Sequence, residues 1–164
     1  YLDKGDLDLA LNYFNDALNA HRETANRRGE ARALGNLGMA HQIRGDLDSA
    51  LRYLNNALMI HEELGNLRGQ SQSLGNIGLI YQAKGSLDLA LEYHSDALAI
   101  DRDTGDTAAE AQDIGAIGMI YYHKGNFTTA LKHLREARDL FINSGASGDL
   151  DTVENVIREL EAQL

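Results

Sequence analysis

A stretch of thirteen residues recurs along this chain at a spacing of 40. "ALGNLGMAHQIRG" occupies residues 33–45, "SLGNIGLIYQAKG" residues 73–85 and "DIGAIGMIYYHKG" residues 113–125. Each copy places apolar residues at i, i+3 and i+7, the period of one helix face. Yet each also carries two glycines inside that helix, and an interior glycine costs about 1 kcal/mol relative to alanine. A sequence that accepts this cost at the same places three times must recover it in packing. A fixed period of this length marks an array of stacked helical units.

On the 40-residue register the columns align. Leu34, Leu37, Gly38, His41 and Gly45 are followed by Leu74, Ile77, Gly78, Tyr81 and Gly85, then by Ile114, Ile117, Gly118, Tyr121 and Gly125. These first helices are expected at about 27–44, 67–84 and 107–124. Asn26, Asn66 and Asp106 are their N-caps; Arg44, Lys84 and Lys124 suit the last turn, and the glycines that follow act as stops. A second helix follows each stop, capped by Asp46, Ser86 and Asn126. It holds small residues at Ala50/Ala90/Ala130 and Ala57/Ala97/Ala137 and large ones at Leu51/Leu91/Leu131 and Leu47/Leu87/Phe127. The expectation is that these alanines face Gly38, Gly78 and Gly118, so that two backbones approach closely. Gly35, Gly75 and Gly115 lie at the edge of the stripe and either pack or leave an inner surface open.

The chain therefore divides as one array over 1–164. Residues 1–24 form a partial repeat, second helix only, with Gly5, Leu7, Ala10, Leu11, Phe14, Ala17 and Leu18 in the matching columns. Full repeats follow at 25–64, 65–104 and 105–145, and a capping helix at 147–164. That last helix spaces Leu150, Val153, Ile157, Leu160 and Leu164 helically but puts Asn155 and Arg158 in the glycine columns, so its far face is expected to meet solvent. The chain does not begin with Met and is read as a fragment or processed product opening at the tail of a first helix. Helix 7–22 then lacks its partner, and end-to-end self-association through it is an expectation.

Composition narrows the function. There are no cysteines, which excludes disulfides and thiolate metal sites, and no prolines against sixteen glycines. The formal net charge of −10 disfavours nucleic acid and anionic membranes as partners. No apolar run approaches a membrane span, and the expected location is cytoplasmic. The histidines are read as scattered over different columns with no i, i+4 pair, so no metal site is expected. Gly-x-x-Gly lies inside helices whose amides are already paired. "NFT" at 126–128 reads as a helix cap rather than a glycosylation site. No catalytic set emerges and no cofactor is implied: the chain is expected not to be an enzyme.

These columns resemble the tetratricopeptide repeat, whose pattern is a large apolar residue, then Leu, Gly and Tyr on the first helix and Ala, a large residue and Ala on the second. The second full copy reads Leu74, Ile77, Gly78, Tyr81, then Ala90, His94, Ala97. The 40-residue unit, with Glu62, Arg102 and Ile142 where the family's proline would stand, is similar to the longer-helix subclass of Pins-type polarity adaptors and kinesin light chains. The resemblance implies an all-α, right-handed solenoid of antiparallel helix pairs. It also implies an adaptor that holds an extended peptide of a protein partner in a groove lined by the first helices. The alternative is a regulatory or sensor arm of a larger signalling protein with an ATPase or protease effector elsewhere.

The stripe of the first helices opposite the packing face must point away from the core. It reads Arg32-Asn36-Met39-Ile43, Gln72-Asn76-Leu79-Ala83 and Gln112-Ala116-Met119-His123, flanked by Gln42, Gln82 and Tyr122. In so acidic a chain these twelve stripe positions hold one arginine and no acid. Methionine, leucine and amides suit an adaptable peptide-contact surface. The resemblance further implies that Asn36 and Asn76 contact the bound backbone; the competing reading is that they order the stack by hydrogen bonds within it.

Overall fold

The computed structural model describes residues 4–146 and 149–162, and they form eight α-helices with no strand among them. These are α1 (Lys4–Glu23), α2 (Arg27–Arg44), α3 (Leu47–Glu63), α4 (Leu67–Ala83), α5 (Leu87–Thr104), α6 (Thr107–His123), α7 (Phe127–Ser144) and α8 (Leu150–Glu161). The first helices of the three full repeats are α2, α4 and α6, within a residue of their expected bounds. Leu164 of the expected capping helix lies outside the described residues.

The caps explain the boundaries. Asn26, Asp46, Asn66, Asp106 and Asn126 each accept the backbone N–H three residues on, at 3.0–3.2 Å. Ser86 makes no such side-chain bond. At the other ends, Gly45, Gly85 and Gly125 take left-handed φ of 82°, 75° and 74°, and so do Gly65, Gly105 and Gly145 midway between them. The stop therefore recurs every 20 residues, once per helix. Ala25 falls in the same register with φ 51°, the one non-glycine with positive φ among the described residues.

Two compact units follow one another, Tyr1–Ile80 and Tyr81–Leu164. In the first, α2 packs against α1 and α3; in the second, α6 packs against α5 and α7, and α8 packs on α7. The first core gathers Leu7, Leu11, Leu18, Leu34, Leu37 and Ile60. The second gathers Ile114, Leu134, Phe141, Val153, Ile157 and Leu160. Asn155 and Arg158 of α8 are exposed, as their place in the glycine columns requires.

The residue opposite the close-approach glycine is not the expected alanine. A Cβ on Gly38 would stand 2.6 Å from Leu54 Cγ and 3.3 Å from the Ala50 carbonyl oxygen. On Gly118 it would stand 2.9 Å from Leu134 Cγ and Cδ2. The alanines on either side of that leucine, Ala50 with Ala57 and Ala130 with Ala137, are fully buried and let the backbones close. The leucine between them fills the space that the glycine leaves. The edge column divides: Gly35 faces open space, whereas Gly115 touches Ala137, Val153 and Phe141 at 3.7–3.9 Å.

Each pair is also pinned by stacked rings three residues beyond that glycine. His41 stacks on Tyr53, Tyr81 on Tyr93 and Tyr121 on His133, with centroids 5.1, 5.2 and 5.7 Å apart. Nor are the histidines all in different columns. His21 and His61 stand 40 residues apart, and each ring occupies the space that a side chain on Gly29 or Gly69 would need.

Candidate functional site

Helix geometry carries the expected stripe to the surface. Burial of Leu34, Leu37 and His41 turns Arg32, Asn36, Met39 and Ile43 outward on α2. Met39 is 41% exposed, Ile43 62% and, on α4, Leu79 41%. In the first unit Arg32 and Gln72 are exposed too, while Asn36, Gln42 and Asn76 are half-buried. In the second unit Gln112 and His123 are exposed, and Gln82, Ala116, Met119 and Tyr122 are half-buried. None of these side chains is sealed in the core.

Some charged groups elsewhere find partners. Arg22 and Arg27 bridge to Glu30, Arg102 to Glu110 and Glu136, and Arg135 to Glu161, while Lys124 bonds Asp88. Along the stripe, Arg32, Asn36, Gln42, Gln72, Asn76, Gln82 and Gln112 have no side-chain partner among the described residues. No hydrogen bond from the Asn36 or Asn76 side chain to a neighbouring helix is found among the described residues. Their amides, each a donor and an acceptor, are held half-buried and unused.

The acid-free line ends at α8. Glu159 stands 40 residues after Met119, in the same column, and its Oε1 accepts a 2.8 Å hydrogen bond from the Tyr122 hydroxyl. That bond pushes the phenol's pKa above its ordinary value. Extending the register by one more unit would have revealed this acid from sequence.

The other perturbed groups are structural. Ser49 donates to Asp46 from side chain and backbone, with His41 adding to the effect, and the Asp46 carboxyl is pulled down to about 2. Glu30 lies below the usual carboxylate range because Arg22, and then Arg27, bond it. Burial lowers His61 and His133. The buried pair His94 and Asp113, 2.8 Å apart, was not foreseen from sequence. Among the described residues no group of three or more His, Cys, Asp or Glu could hold a metal ion. No helix among them is long and apolar enough to cross a membrane.

Known proteins share this architecture. The tetratricopeptide-repeat family profile matches residues 1–63 and 69–143. No curated protein matches by sequence. Among solved structures, aspartyl phosphate phosphatase F of Bacillus subtilis superposes with a TM-score of 0.87 at 16% identity, over 95% of this chain and 41% of that one. A kinesin light chain with nearly identical TPR-like repeats from Podosopora anserina gives 0.69 at 15%, over 99% and 90%. The Rap conjugation gene regulator of plasmid pLS20, solved with the Phr* peptide, gives 0.63 at 17%, over 99% and 57%. The chain spans less than two thirds of the phosphatase and of the regulator, and at these identities the likeness is one of fold.

Proposed function

This chain belongs to the tetratricopeptide-repeat family, and from that premise we propose that it is a non-catalytic interaction module of the cytoplasm that holds an extended peptide segment of a protein partner. One observation carries the reading. The line of amides, methionine and leucine on the first helices is exposed or half-buried, carries no acid on α2, α4 or α6, and its amides make no side-chain hydrogen bond among the described residues. In the first unit Asn36 and Asn76 would pair with peptide N–H and C=O groups, Met39, Ile43 and Leu79 would seat apolar side chains, and Arg32, Gln42 and Gln72 would border them. Gln82, Gln112, Met119, Tyr122 and His123 offer the same chemistry in the second unit. The solved complex of a fold relative with a peptide supports the choice of ligand class.

The second reading, a regulatory arm of a larger protein, is favoured by the lengths of the relatives, since the phosphatase and the regulator extend well beyond the matched part. Pull-down with mass spectrometry tests the first reading. Asn76→Ala with Leu79→Asp should lose the partners that the wild type captures while keeping the helical CD spectrum and melting curve. Retention of the same partners by a folded variant would place the contact surface elsewhere.

A further inference from the structure

We propose that the second unit takes a basic side chain, lysine or arginine, of the bound peptide against Tyr122, Phe127 and Glu159. This selectivity rests on the peptide-binding reading and names the charge of one residue of the ligand. The three side chains come from successive helices. Tyr122, in the last turn of α6, sets its ring 5.9 Å from that of Phe127, which opens α7 and is 40% exposed. His123 meets the Tyr122 ring edge-on at 5.6 Å. From α8 the exposed Glu159 accepts the Tyr122 hydroxyl at 2.8 Å, so a carboxylate is fixed at the rim of an aromatic cluster.

Rings with a carboxylate beside them suit a cation. The π faces attract positive charge, and the carboxylate supplies the counter-charge. Among the described residues no cation of the protein lies over the Tyr122 ring. The one such contact is Arg52 over Tyr53, in the first unit, and Lys124, two residues from Tyr122, is bonded to Asp88. The surrounding charge has the matching sign. Residues 81–164 hold fifteen acids against seven lysines and arginines, so −8 of the formal −10 lies in this unit. Such a field draws cations toward it. The openness of the Glu159 column is a property of the repeat: Met39 and Leu79, in the same column, are each 41% exposed although other helices follow them.

Selection from a phage-displayed library of random decapeptides on the immobilised 164-residue chain tests this. Peptides retained by wild type should align with lysine or arginine enriched at one position, at least about threefold over the input library. Raising the salt from about 0.1 M to 1 M should reduce that enrichment, because it screens the carboxylate. Peptides retained by Tyr122→Leu or by Glu159→Gln, each keeping the helical CD spectrum, should lack the basic preference. A wild type that retains no peptide would sink the peptide-binding reading and this inference with it. Retained peptides with no basic preference, a preference for acidic residues at that position, or a basic preference that either folded variant keeps at wild-type strength would overturn the inference alone.

Discussion

His94 occupies a column that is leucine in the repeats on either side, Leu54 and Leu134, and Asp113 one that is Ala33, Ser73 and Val153 elsewhere. Both are buried, His94 to 2% exposure, and Nδ1 lies 2.8 Å from Asp113 Oδ1. The imidazole Nε2 is buried with no partner. His94→Leu would restore the shape used in the neighbouring copies but leave a buried carboxylate without its ring. Removing one member of a buried pair costs about 3–5 kcal/mol. For a chain of this length each kcal/mol shifts the melting temperature by about 2–4 °C, so the variant should melt roughly 6–20 °C lower. Asp113→Val alone would deprive His94 of its one bond, at about 1–3 kcal/mol for the group left unsatisfied. The double variant reproduces the Leu134–Val153 combination already present in the second core. It should return to within about 1 kcal/mol of wild type, because replacing both partners of a buried hydrogen bond by apolar groups of fitting shape is nearly neutral. Urea denaturation followed by CD on all four proteins closes the cycle. If the two losses simply add, with coupling near zero, the two side chains do not depend on each other and the reasoning fails.

Two further predictions use the glycines and the histidines. Gly35→Ala meets open space and should stabilise α2 by up to about 1 kcal/mol through helix propensity. Gly38→Ala, three residues on, drives its methyl into Leu54 and should cost about 1–3 kcal/mol; urea midpoints that move the same way in both variants would contradict the packing assigned to Gly38. Burial lowers His61 and His133 below the ordinary 6.5, so on acidification the unfolded chain binds those protons before the folded one does. Their contribution to stability is intact well above pH 6.5 and should fall as pH drops through that value. NMR titration of the His61 ring should give a midpoint below 6.5, and one at or above it would refute the burial argument.

How much of this was legible in sequence depends on the range over which each feature acts. The bounds of α2, α4 and α6 came within a residue because caps and stops are local: Asn26 needs only Gly29, and Gly45 only its own backbone. The same reading at half the period would have found Gly65, Gly105 and Gly145, and would have marked Ala25 as the position where a side chain must bear left-handed geometry, at about 1–2 kcal/mol. The partner of Gly38 was misassigned because sequence gives columns within a helix but not the offset between two helices. That offset decides whether Ala50 or Leu54 points at the gap. It is also why His94 and Asp113, nineteen residues apart on successive helices, did not read as a pair. The stripe was legible for a different reason, since 25 acids spread over the chain make their absence from one line visible. What sequence could not supply is that the amides on that line are unused. Asn26 and Asn66 spend their side chains on helix caps, while Asn36 and Asn76, of the same residue type and ten positions further on, keep theirs free. A residue type states which bonds it can make; only the fold states which are already made, and the remainder is what a partner can reach.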